Sequence, residues 1–587
     1  MIRTTTLLLA LGFAMVATNA GRAMGLPAPI STPHVLTIET SGGSSGAVSV
    51  FSGSTAFVFD AGILTGYPNV APGSNPRQAI NAAAASWTAV STLSYTDAGT
   101  TSAASASNNG SNLVTFANTS SNASVSAGTI AVTLYFYDGS FGLTDTDIVF
   151  NPTQNFSTLG TTGFHDVQSV ATHEFGHAFG LSHSPITTSS MFAALTVGSQ
   201  EARSLSPDDV AAINQKYLTI PNFFAWGAIT GTVTKPASGP VYGAHIVARS
   251  LVTGVTVSST ISRPDGSYTL YGLPAGPYRV YAEPLDGPSF DNHVVTSFWT
   301  TGKDTSFPTL FSGGNASPAV VRVRATQITT NVDFSLGTAA PTINISLLGQ
   351  TNSPTAGFSA ANTGISLRAG QSTFLVVGGA GVNLLPDAAF RVSGAGVTRG
   401  SSASSGLFSN GLGFKVFPLS ALAQAEPGPR DLEVTVGNEV SIFCGGIDIL
   451  PPTTATARAT TYGTGCAGSA GALSLGTFGG LPSLGNLAFG VTSVNTVAGN
   501  TWLLLISGRP DVFDIGSGCT IWVDINTLVF PANAFQATAS SSTRNQALSI
   551  PSSPSLAGLT IYLQALAQDP QAALGFTASN GLALTLN

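Results

Sequence analysis

Three histidines and a glutamate lie within eleven consecutive residues, 173–183, which read HEFGHAFGLSH. The whole chain of 587 residues contains only seven histidines, so this concentration is unusual. In a helix, residues four apart lie on the same face, about 6 Å from each other, which places His173 next to His177. Two imidazoles at that separation can both bind one zinc ion, with bonds of about 2.0–2.1 Å. The stretch therefore predicts a metal site.

The other residues of the stretch indicate what the metal would do. Glu174 follows the first histidine, so its carboxylate would lie beside the metal and could take a proton from a zinc-bound water. Gly180 tolerates the positive φ of a sharp turn, which would end the helix and bring His183 back as a third ligand. Three nitrogen ligands with an open fourth position are typical of a catalytic zinc. We predict one catalytic Zn²⁺ bound by the three histidines, with Glu174 as the general base.

Helices and strands must position these side chains. The segment NPRQAINAAAASWTAVSTLSY predicts an amphipathic helix with Asn75 as its cap and Pro76 in its first turn. Its apolar stripe is expected to face a sheet and comprises Ile80, Ala83, Ala84, Trp87 and Val90. Strands are predicted at NLVTFAN, GTIAVTLYFY and TDIVFN. HDVQSVATHEFGHAFG then predicts the helix that carries the metal site, so this part of the chain has mixed α/β character.

A further helix is predicted at LSPDDVAAINQKYL, after the metal site. Ser206 is its expected cap and Pro207 its first residue. Asp208 and Asp209 are most simply first-turn residues that the helix dipole favours.

The motif HEFGHAFGLSH fits the signature HExxHxxGxxH of the metzincin metallopeptidases at every position. Met191, eight residues after His183, resembles the methionine of the turn that these enzymes place beneath the metal. Three further features resemble the matrixin branch of this family. They are Ser184 directly after the third histidine, the Ser-x-Met pattern that ends at Met191, and the two flanking helices. The resemblance covers residues 55–218 and implies a zinc endopeptidase. It also allows the aspartates of LSPDDV a second role, tethering the N-terminus of the catalytic domain.

The chain departs from matrixins at several positions. Phe192 and Ala193 follow Met191, where matrixins usually carry Tyr and Pro, so the pocket beyond the turn is expected to differ. His165 is the only histidine between His34 and the motif, which predicts that the structural zinc of animal matrixins is absent. No cysteine precedes the motif, so the cysteine switch of matrixins cannot operate.

Other candidate ligands have weaker support. Asp138, Asp145 and Asp147 in YDGSFGLTDTD offer oxygens to a calcium ion, although Asp-rich turns are more often solvated loops. His165 is expected to cap or flank the motif helix rather than to bind metal. Three histidines are isolated in the sequence and are expected either at the surface or hydrogen-bonded in a core: His34, His245 and His293.

The N-terminus and the composition predict an exported protein. Arg3 precedes an apolar run, Leu7–Ala17, and small residues suited to cleavage, which predicts a signal peptide at residues 1–23 and a secreted or cell-surface location. The run is shorter than the roughly 20 residues of a membrane-spanning helix. Among the three cysteines, Cys466 and Cys519 are the expected disulfide pair. A net charge of −7 without basic clusters argues against nucleic acid, so a protein or peptide substrate is the expected partner.

Four domains are expected, an α/β metzincin-like domain at 24–222 and three all-β sandwich domains at 226–338, 339–452 and 453–587. GAITGTVTKPASGPVYGAHIVARS and DGSYTLYGLPAGPYRVYAEP resemble the carboxypeptidase regulatory-like domain, which implies a structural or adhesive β-sandwich. YGTGCAGS and the final SNGL resemble a C-terminal β-domain of planctomycete-type exported proteins.

Two functions fit these features. The leading hypothesis is a secreted zinc-dependent endopeptidase that hydrolyses peptide bonds with Glu174 as general base. The alternative is a surface or matrix structural or adhesive protein whose zinc domain is vestigial or self-processing. An array of β-sandwiches is compatible with either function.

Overall fold

The computed structural model describes residues 37–39, 45–47 and 54–587, except for 138–142, 220–221, 223–224, 237, 291–302, 356, 358, 453–456, 530–535, 540 and 553–555. The predicted signal peptide lies outside the described residues, as do His34, Asp138 and His293. In the described part of the chain, α-helices with defined bounds precede residue 226 and strands dominate after it. The predicted fold class, an α/β domain followed by all-β domains, is confirmed.

The first domain combines helices with one five-stranded sheet among the described residues. The helices are α1 (Gly62–Thr65), α2 (Pro76–Thr88), α3 (Ser120–Val125), α4 (Val167–Ala178) and α5 (Pro207–Asn214). The strands are β1 (Thr37–Glu39), β2 (Ser45–Ala47), β3 (Ser54–Asp60), β4 (Ser94–Thr101), β5 (Leu113–Thr115), β6 (Ala131–Tyr137), β7 (Leu143–Phe150), β8 (Phe156–Ser157) and β9 (His165–Asp166). The sheet order is β4-β3-β5-β7-β6, in which β6 runs antiparallel to β7 and forms one edge.

Capping side chains begin two of these helices where the sequence predicts. Asn75 Oδ1 accepts the backbone N–H of Gln78 at 3.1 Å at the start of α2. Ser206 Oγ accepts the N–H of Asp209 at 3.2 Å at the start of α5. Each cap satisfies a backbone donor that the helix itself leaves unpaired.

The motif helix α4 is held between α2 and the sheet. Trp87 on α2 is fully buried, and its indole N–H donates to the Thr172 carbonyl at 2.9 Å. On the other side, Phe57 from β3 packs edge-on against Phe175 from α4, with 5.2 Å between ring centroids. The position of the helix is therefore set by the domain core.

The second domain consists of two five-stranded sheets in the part of the chain that the structure describes. Its strands are β10 (Trp226–Lys235), β11 (Gly239–Pro240), β12 (His245–Ser250), β13 (Thr256–Ile261), β14 (Ser267–Pro274), β15 (Gly276–Glu283), β16 (Leu310–Phe311), β17 (Val321–Val323), β18 (Ile328–Thr329) and β19 (Phe334–Ser335). One sheet contains β11-β10-β14 with β18 and β19 beside β10. The other contains β13-β12-β15-β16 with β17 beside β15.

The third domain also has two sheets among its described residues. Its strands are β20 (Asn344–Thr351), β21 (Ile365–Arg368), β22 (Ser372–Ala380), β23 (Phe390–Val392), β24 (Val397–Arg399), β25 (Ser404–Leu407), β26 (Gly413–Ala421), β27 (Gly428–Val436) and β28 (Glu439–Leu450). The sheet orders are β20-β22-β26-β24, with β25 beside β26, and β21-β28-β27-β23. Apolar side chains from both sheets form one core.

The fourth domain is built from strands and carries the disulfide. Its strands are β29 (Arg458–Tyr462), β30 (Ala467–Gly468), β31 (Gly471–Ala472), β32 (Ser474–Phe478), β33 (Gly490–Val494), β34 (Thr501–Ser507), β35 (Pro510–Gly516), β36 (Cys519–Val523), β37 (Gln536–Thr538), β38 (Thr543–Ala547), β39 (Thr560–Gln568) and β40 (Phe576–Thr585). The predicted pair Cys466–Cys519 is confirmed, and Cys444 is a buried free thiol.

The first three domains meet in one apolar cluster, which we call the junction core. It comprises Ile186, Val247, Tyr281, Phe311, Val440, Ile442 and Cys444. Ile186 comes from the loop between His183 and Met191, so the loop next to the metal site packs directly on the β-domains. Within the described residues, none of the helices has the length and apolar character needed to cross a membrane.

Candidate metal centre

The helix that carries the motif begins at a buried carboxylate. Asp166 caps α4 by accepting the N–H of Ser169 at 2.9 Å. Arg203 donates two hydrogen bonds to the same carboxylate, at 2.8 Å and 2.5 Å. His165 flanks the helix, as the sequence predicts, and lines the adjacent cleft. The bonds of Asp166 to Ser169 and Arg203 therefore fix the N-terminus of α4 beside the cleft.

The same helix ends in a glycine turn. Gly180 has φ of +91°, a left-handed conformation that glycine adopts without strain. The N–H of Gly180 donates to the His177 carbonyl at 2.7 Å, and the N–H of Leu181 donates to the Gly176 carbonyl at 2.9 Å. This pair of bonds is a Schellman motif. It reverses the chain and carries His183 back towards the helix.

The three predicted ligands converge at their Nε2 atoms. His177 Nε2 lies 3.1 Å from His173 Nε2 and 3.2 Å from His183 Nε2. Tetrahedral zinc with bonds of about 2.0–2.1 Å separates its nitrogen ligands by about 3.4 Å. The three half-buried imidazoles therefore have the spacing of a zinc site.

Backbone carbonyls orient two of these rings. His173 Nδ1 lies 2.8 Å from the Ser190 carbonyl, and His177 Nδ1 lies 2.9 Å from the Leu181 carbonyl. A carbonyl only accepts, so Nδ1 carries the hydrogen and the Nε2 lone pair of each neutral ring faces the shared point. Burial lowers the pKa of His177 well below its ordinary value, and the neighbouring His173 and His183 lower it further. His177 is thus prepared to bind a cation rather than a proton.

Glu174 is buried beside this point. Thr133 Oγ1 on the edge strand β6 donates a hydrogen bond of 2.6 Å to Glu174 Oε2. Burial raises the pKa of Glu174, while His173 and the bond from Thr133 oppose that rise. Thr133 is a site residue that sequence spacing does not reveal, because it comes from a strand 41 residues earlier.

Met191 packs against the helix backbone between the first two ligands. A Cβ placed on Gly176 would lie 2.1 Å from Met191 Sδ and 2.8 Å from Trp87 Cζ2. Both side chains are buried, and neither is a ligand. Position 176 therefore needs a glycine, because Met191 and Trp87 pack too closely against it to leave room for a side chain. The motif alone did not indicate this role.

The turn before Met191 is held by the aspartates at the start of α5. Asp209 Oδ2 accepts the N–H of Ser190 at 2.9 Å, and Asp209 Oδ1 accepts the hydroxyl of Ser189. Asp208 Oδ2 accepts the hydroxyl of Ser184 at 2.6 Å. Their position in the first turn agrees with the helix-dipole interpretation, but both are buried and bind the metal-site loop.

Comparison with known families agrees with this geometry. Residues 63–218 match the family model for matrixin. This segment is therefore similar to matrixin, and we refer to it below as the matrixin domain. Residues 228–307 match the carboxypeptidase regulatory-like domain, as the sequence resemblance of the second domain implies.

The matrixin domain has curated relatives in Arabidopsis thaliana. It is 38% identical over 82 residues to metalloendoproteinase 2-MMP, an alignment that covers 14% of this chain and 20% of the relative. It is 41% identical over 58 residues to metalloendoproteinase 4-MMP, covering 10% of this chain and 17% of the relative. The chain thus spans a fifth or less of the length of these relatives.

Solved structures show only a remote likeness. BcpA, the major pilin subunit of Bacillus cereus, aligns with a TM-score of 0.12 and 10% identity, covering 62% of this chain and 95% of that chain. The TIE protein of Bacillus anthracis aligns with a TM-score of 0.12 and 7% identity, covering 58% of this chain and 45% of that chain. TM-scores this low support no structural argument.

An open cleft of about 670 Å³ runs across the metal centre of the matrixin domain. One wall is residues 128–133, which lead into the edge strand β6, and the other includes residues 192–195 after Met191. A second pocket of about 30 Å³ adjoins His173 and is closed by Thr363 of the third domain. An edge strand beside a metal centre offers unpaired backbone groups to an extended peptide.

The loop between His183 and Met191 also binds the third domain. Thr187 Oγ1 donates to the Cys444 carbonyl at 3.0 Å, and Thr188 Oγ1 donates to the Gly445 carbonyl at 2.6 Å. Thr196, beyond Met191, lies 3.1 Å from Thr363 through their hydroxyl oxygens. Hydrogen bonds to the third domain therefore stabilise this loop of the matrixin domain.

Two of the aspartates predicted as calcium ligands, Asp145 and Asp147, accept hydrogen bonds from backbone amides and are buried. Asp147 accepts the N–H groups of Leu113 at 2.7 Å and Ser107 at 2.8 Å. Asp145 accepts those of Asn109 and Gly110. Burial raises the pKa of Asp147 to about 6. These bonds hold the loop before β5, and calcium binding stays a prediction.

Proposed function

We propose that this chain is a secreted zinc-dependent endopeptidase that hydrolyses internal peptide bonds of proteins or peptides. The observation that carries the proposal is the convergence of three Nε2 atoms, two of them on rings oriented by backbone carbonyls, beside a buried glutamate. The matrixin match and the metalloendoproteinase relatives support the same reaction class.

The proposed mechanism assigns a role to each residue of the centre. The histidines His173, His177 and His183 would hold one zinc ion, which supplies Lewis-acid chemistry for amide hydrolysis when bound. Glu174 accepts a proton from the attacking water and returns it to the leaving amine. The hydroxyl of Thr133 keeps the Glu174 carboxylate in position for both transfers.

The substrate in this proposal is an extended polypeptide. Among the described residues, strand β6 lies at the sheet edge and along the cleft, and an extended peptide can pair with an edge strand of this kind. The cleft is open to solvent rather than enclosed, which suits cleavage within a chain.

Two features support export. The apolar run after Arg3 is typical of a signal peptide. The disulfide Cys466–Cys519 suits an oxidising compartment such as the cell exterior. A reducing cytosol would oppose this bond.

The test uses the mature full-length chain. Bound zinc is counted, and cleavage of an unfolded protein is followed with and without a chelator. Glu174→Gln should retain zinc and lose cleavage, whereas Glu439→Gln, a matched change on the third domain, should behave like the parent. Cleavage that persists in E174Q and in chelator would refute the proposal. Export is tested by locating the chain in its native cell before and after deletion of residues 1–23.

A further inference from the structure

A second group of metal-ligating side chains lies outside the matrixin domain. One ligand atom each from His245, Glu283 and Cys444 lies within 4.8 Å of the other two. The three residues are 0%, 7% and 2% exposed. His245, which the sequence suggested was isolated, therefore belongs to a buried cluster of nitrogen, oxygen and sulfur ligands.

Strand pairing brings two of the three together. β12 and β15 are antiparallel, with His245 directly opposite Glu283, so both side chains leave the same face of the sheet. His245 Nδ1 lies 2.8 Å from Glu283 Oε1. Cys444 comes from β28 of the third domain, and its sulfur lies within 4.8 Å of the ligand atoms of both residues. The cluster therefore bridges two domains.

The surroundings of the cluster disfavour charge. Cys444 belongs to the apolar junction core, where it packs with Ile186 and Val440. Burial raises the pKa values of the Cys444 thiol and the Glu283 carboxyl and lowers the pKa of His245 to about 4. The charged forms of these groups are costly in such a place unless an opposite charge pairs with them.

Two observations point to a cation as the missing partner. His245 Nε2 is buried and has no hydrogen-bond partner within the described residues, which is rare for a buried polar atom. Asp208 and Asp431 are also buried and act electrostatically on His245. Arg249, the nearby cation, is already bonded to Asp431 and to Glu433. The cluster thus lies in a negative environment, and one nitrogen of its imidazole has no hydrogen-bond partner among the described residues.

We propose that His245, Glu283 and Cys444 bind a second metal ion of the zinc class, which joins the second domain to the third. Imidazole, carboxylate and thiolate are the ligands that zinc takes in proteins. Tetrahedral zinc separates sulfur and nitrogen ligands by about 3.6 Å, which is compatible with three ligand atoms that all lie within 4.8 Å of one another. Binding displaces the thiol proton of Cys444 to solvent as the thiolate–metal bond forms.

This site would also stabilise the loop beside the catalytic centre. The Cys444 carbonyl accepts hydrogen bonds from both the N–H and the hydroxyl of Thr187, at 3.3 Å and 3.0 Å. A metal on the Cys444 side chain would therefore hold the backbone on which that loop rests.

The test replaces the native metal with Co²⁺ in the full-length chain, carrying Glu174→Gln to prevent self-cleavage. Cys466 and Cys519 are joined in a disulfide, so Cys444 is the remaining cysteine of the three in the sequence. A sulfur-to-cobalt absorption band in the near ultraviolet can thus arise only at Cys444. We expect two cobalt ions per chain together with this band.

Cys444→Ser should lower the count to one ion per chain and abolish the band. Ile442→Val, a matched change in the same junction core, should keep both ions and the band. One ion per chain without a sulfur band, in the chain with Cys444 intact, overturns the proposal, and so does a C444S chain that keeps two ions. The histidine centre contains no sulfur, so either result leaves the proposed peptidase function to its own test.

Discussion

Thr188 donates its hydroxyl hydrogen to the carbonyl of Gly445, across 2.6 Å and between two domains. Thr188 lies three residues before Met191, and the Ser190 carbonyl between them lies 2.8 Å from Nδ1 of His173, the first predicted ligand. A short run of backbone, from Thr188 to Ser190, therefore links the third domain to the predicted metal centre. The third domain therefore stabilises the loop next to the candidate active site.

Removing this support should reduce activity without removing a ligand. Replacement of both Thr187 and Thr188 by Val deletes two buried hydroxyl bonds, each worth about 0.5–1.5 kcal/mol. We expect a several-fold lower kcat/KM for peptide cleavage and a faster loss of zinc to a chelator. Thr373→Val, which deletes a hydroxyl bond inside the third domain, is the control. If the double variant shows unchanged kinetics and unchanged zinc release, the two hydroxyl bonds do not stabilise the site.

The hydroxyl of Thr133 should matter for the chemical step. Thr133→Val removes the bond to Glu174 Oε2, and a bond to a charged group is worth about 1.5–3 kcal/mol, or roughly a tenfold effect or more on rate. We expect a lower kcat with unchanged zinc content. Thr133→Ser keeps the hydroxyl and should stay close to the parent. Equal loss in the Val and Ser variants would show that shape, not the hydroxyl, is responsible.

Gly176 should not tolerate even a methyl group. Gly176→Ala places Cβ against Met191 Sδ, and overpacking of this kind costs about 1–3 kcal/mol. We expect a lower Tm and weaker zinc binding. The double variant Gly176→Ala with Met191→Ala provides space and should recover part of the loss in a double-mutant cycle. Additive losses would argue that the two residues do not press on each other.

The Arg77–Asp97 pair should make stability depend on acid pH. Hydrogen bonding from Arg77 lowers the pKa of Asp97 from 3.8 to about 2. Because the folded-state value is the lower one, this stabilisation is complete above the unfolded value and is lost as pH falls from about 4 towards 2. Denaturant unfolding at a series of pH values should show this loss, and Asp97→Asn should flatten it. An unchanged profile in D97N would assign the acid sensitivity to other carboxylates.

Local spacing was enough to predict which histidines converge, and zinc binding by them stays a prediction. His173 and His177 are one helical turn apart, and Gly180 needs only its own backbone freedom to return His183, so all three depend on contacts within eleven residues. The caps at Asn75 and Ser206 are equally local. The disulfide Cys466–Cys519 was predictable because three cysteines leave few pairings.

Tertiary structure decided everything that depends on long-range packing. Thr133 reaches Glu174 only because β6 lies at the sheet edge beside α4, and Asp209 binds the Met191 turn only because α5 packs beneath it. His245 and Cys444 meet because two β-domains share a core, although their sequence surroundings suggest nothing about metal. Periodicity along a chain reports which face of an element is buried, but not which other element covers it. The sequence by itself therefore determined which three histidines come together, whereas the fold decided what supports them.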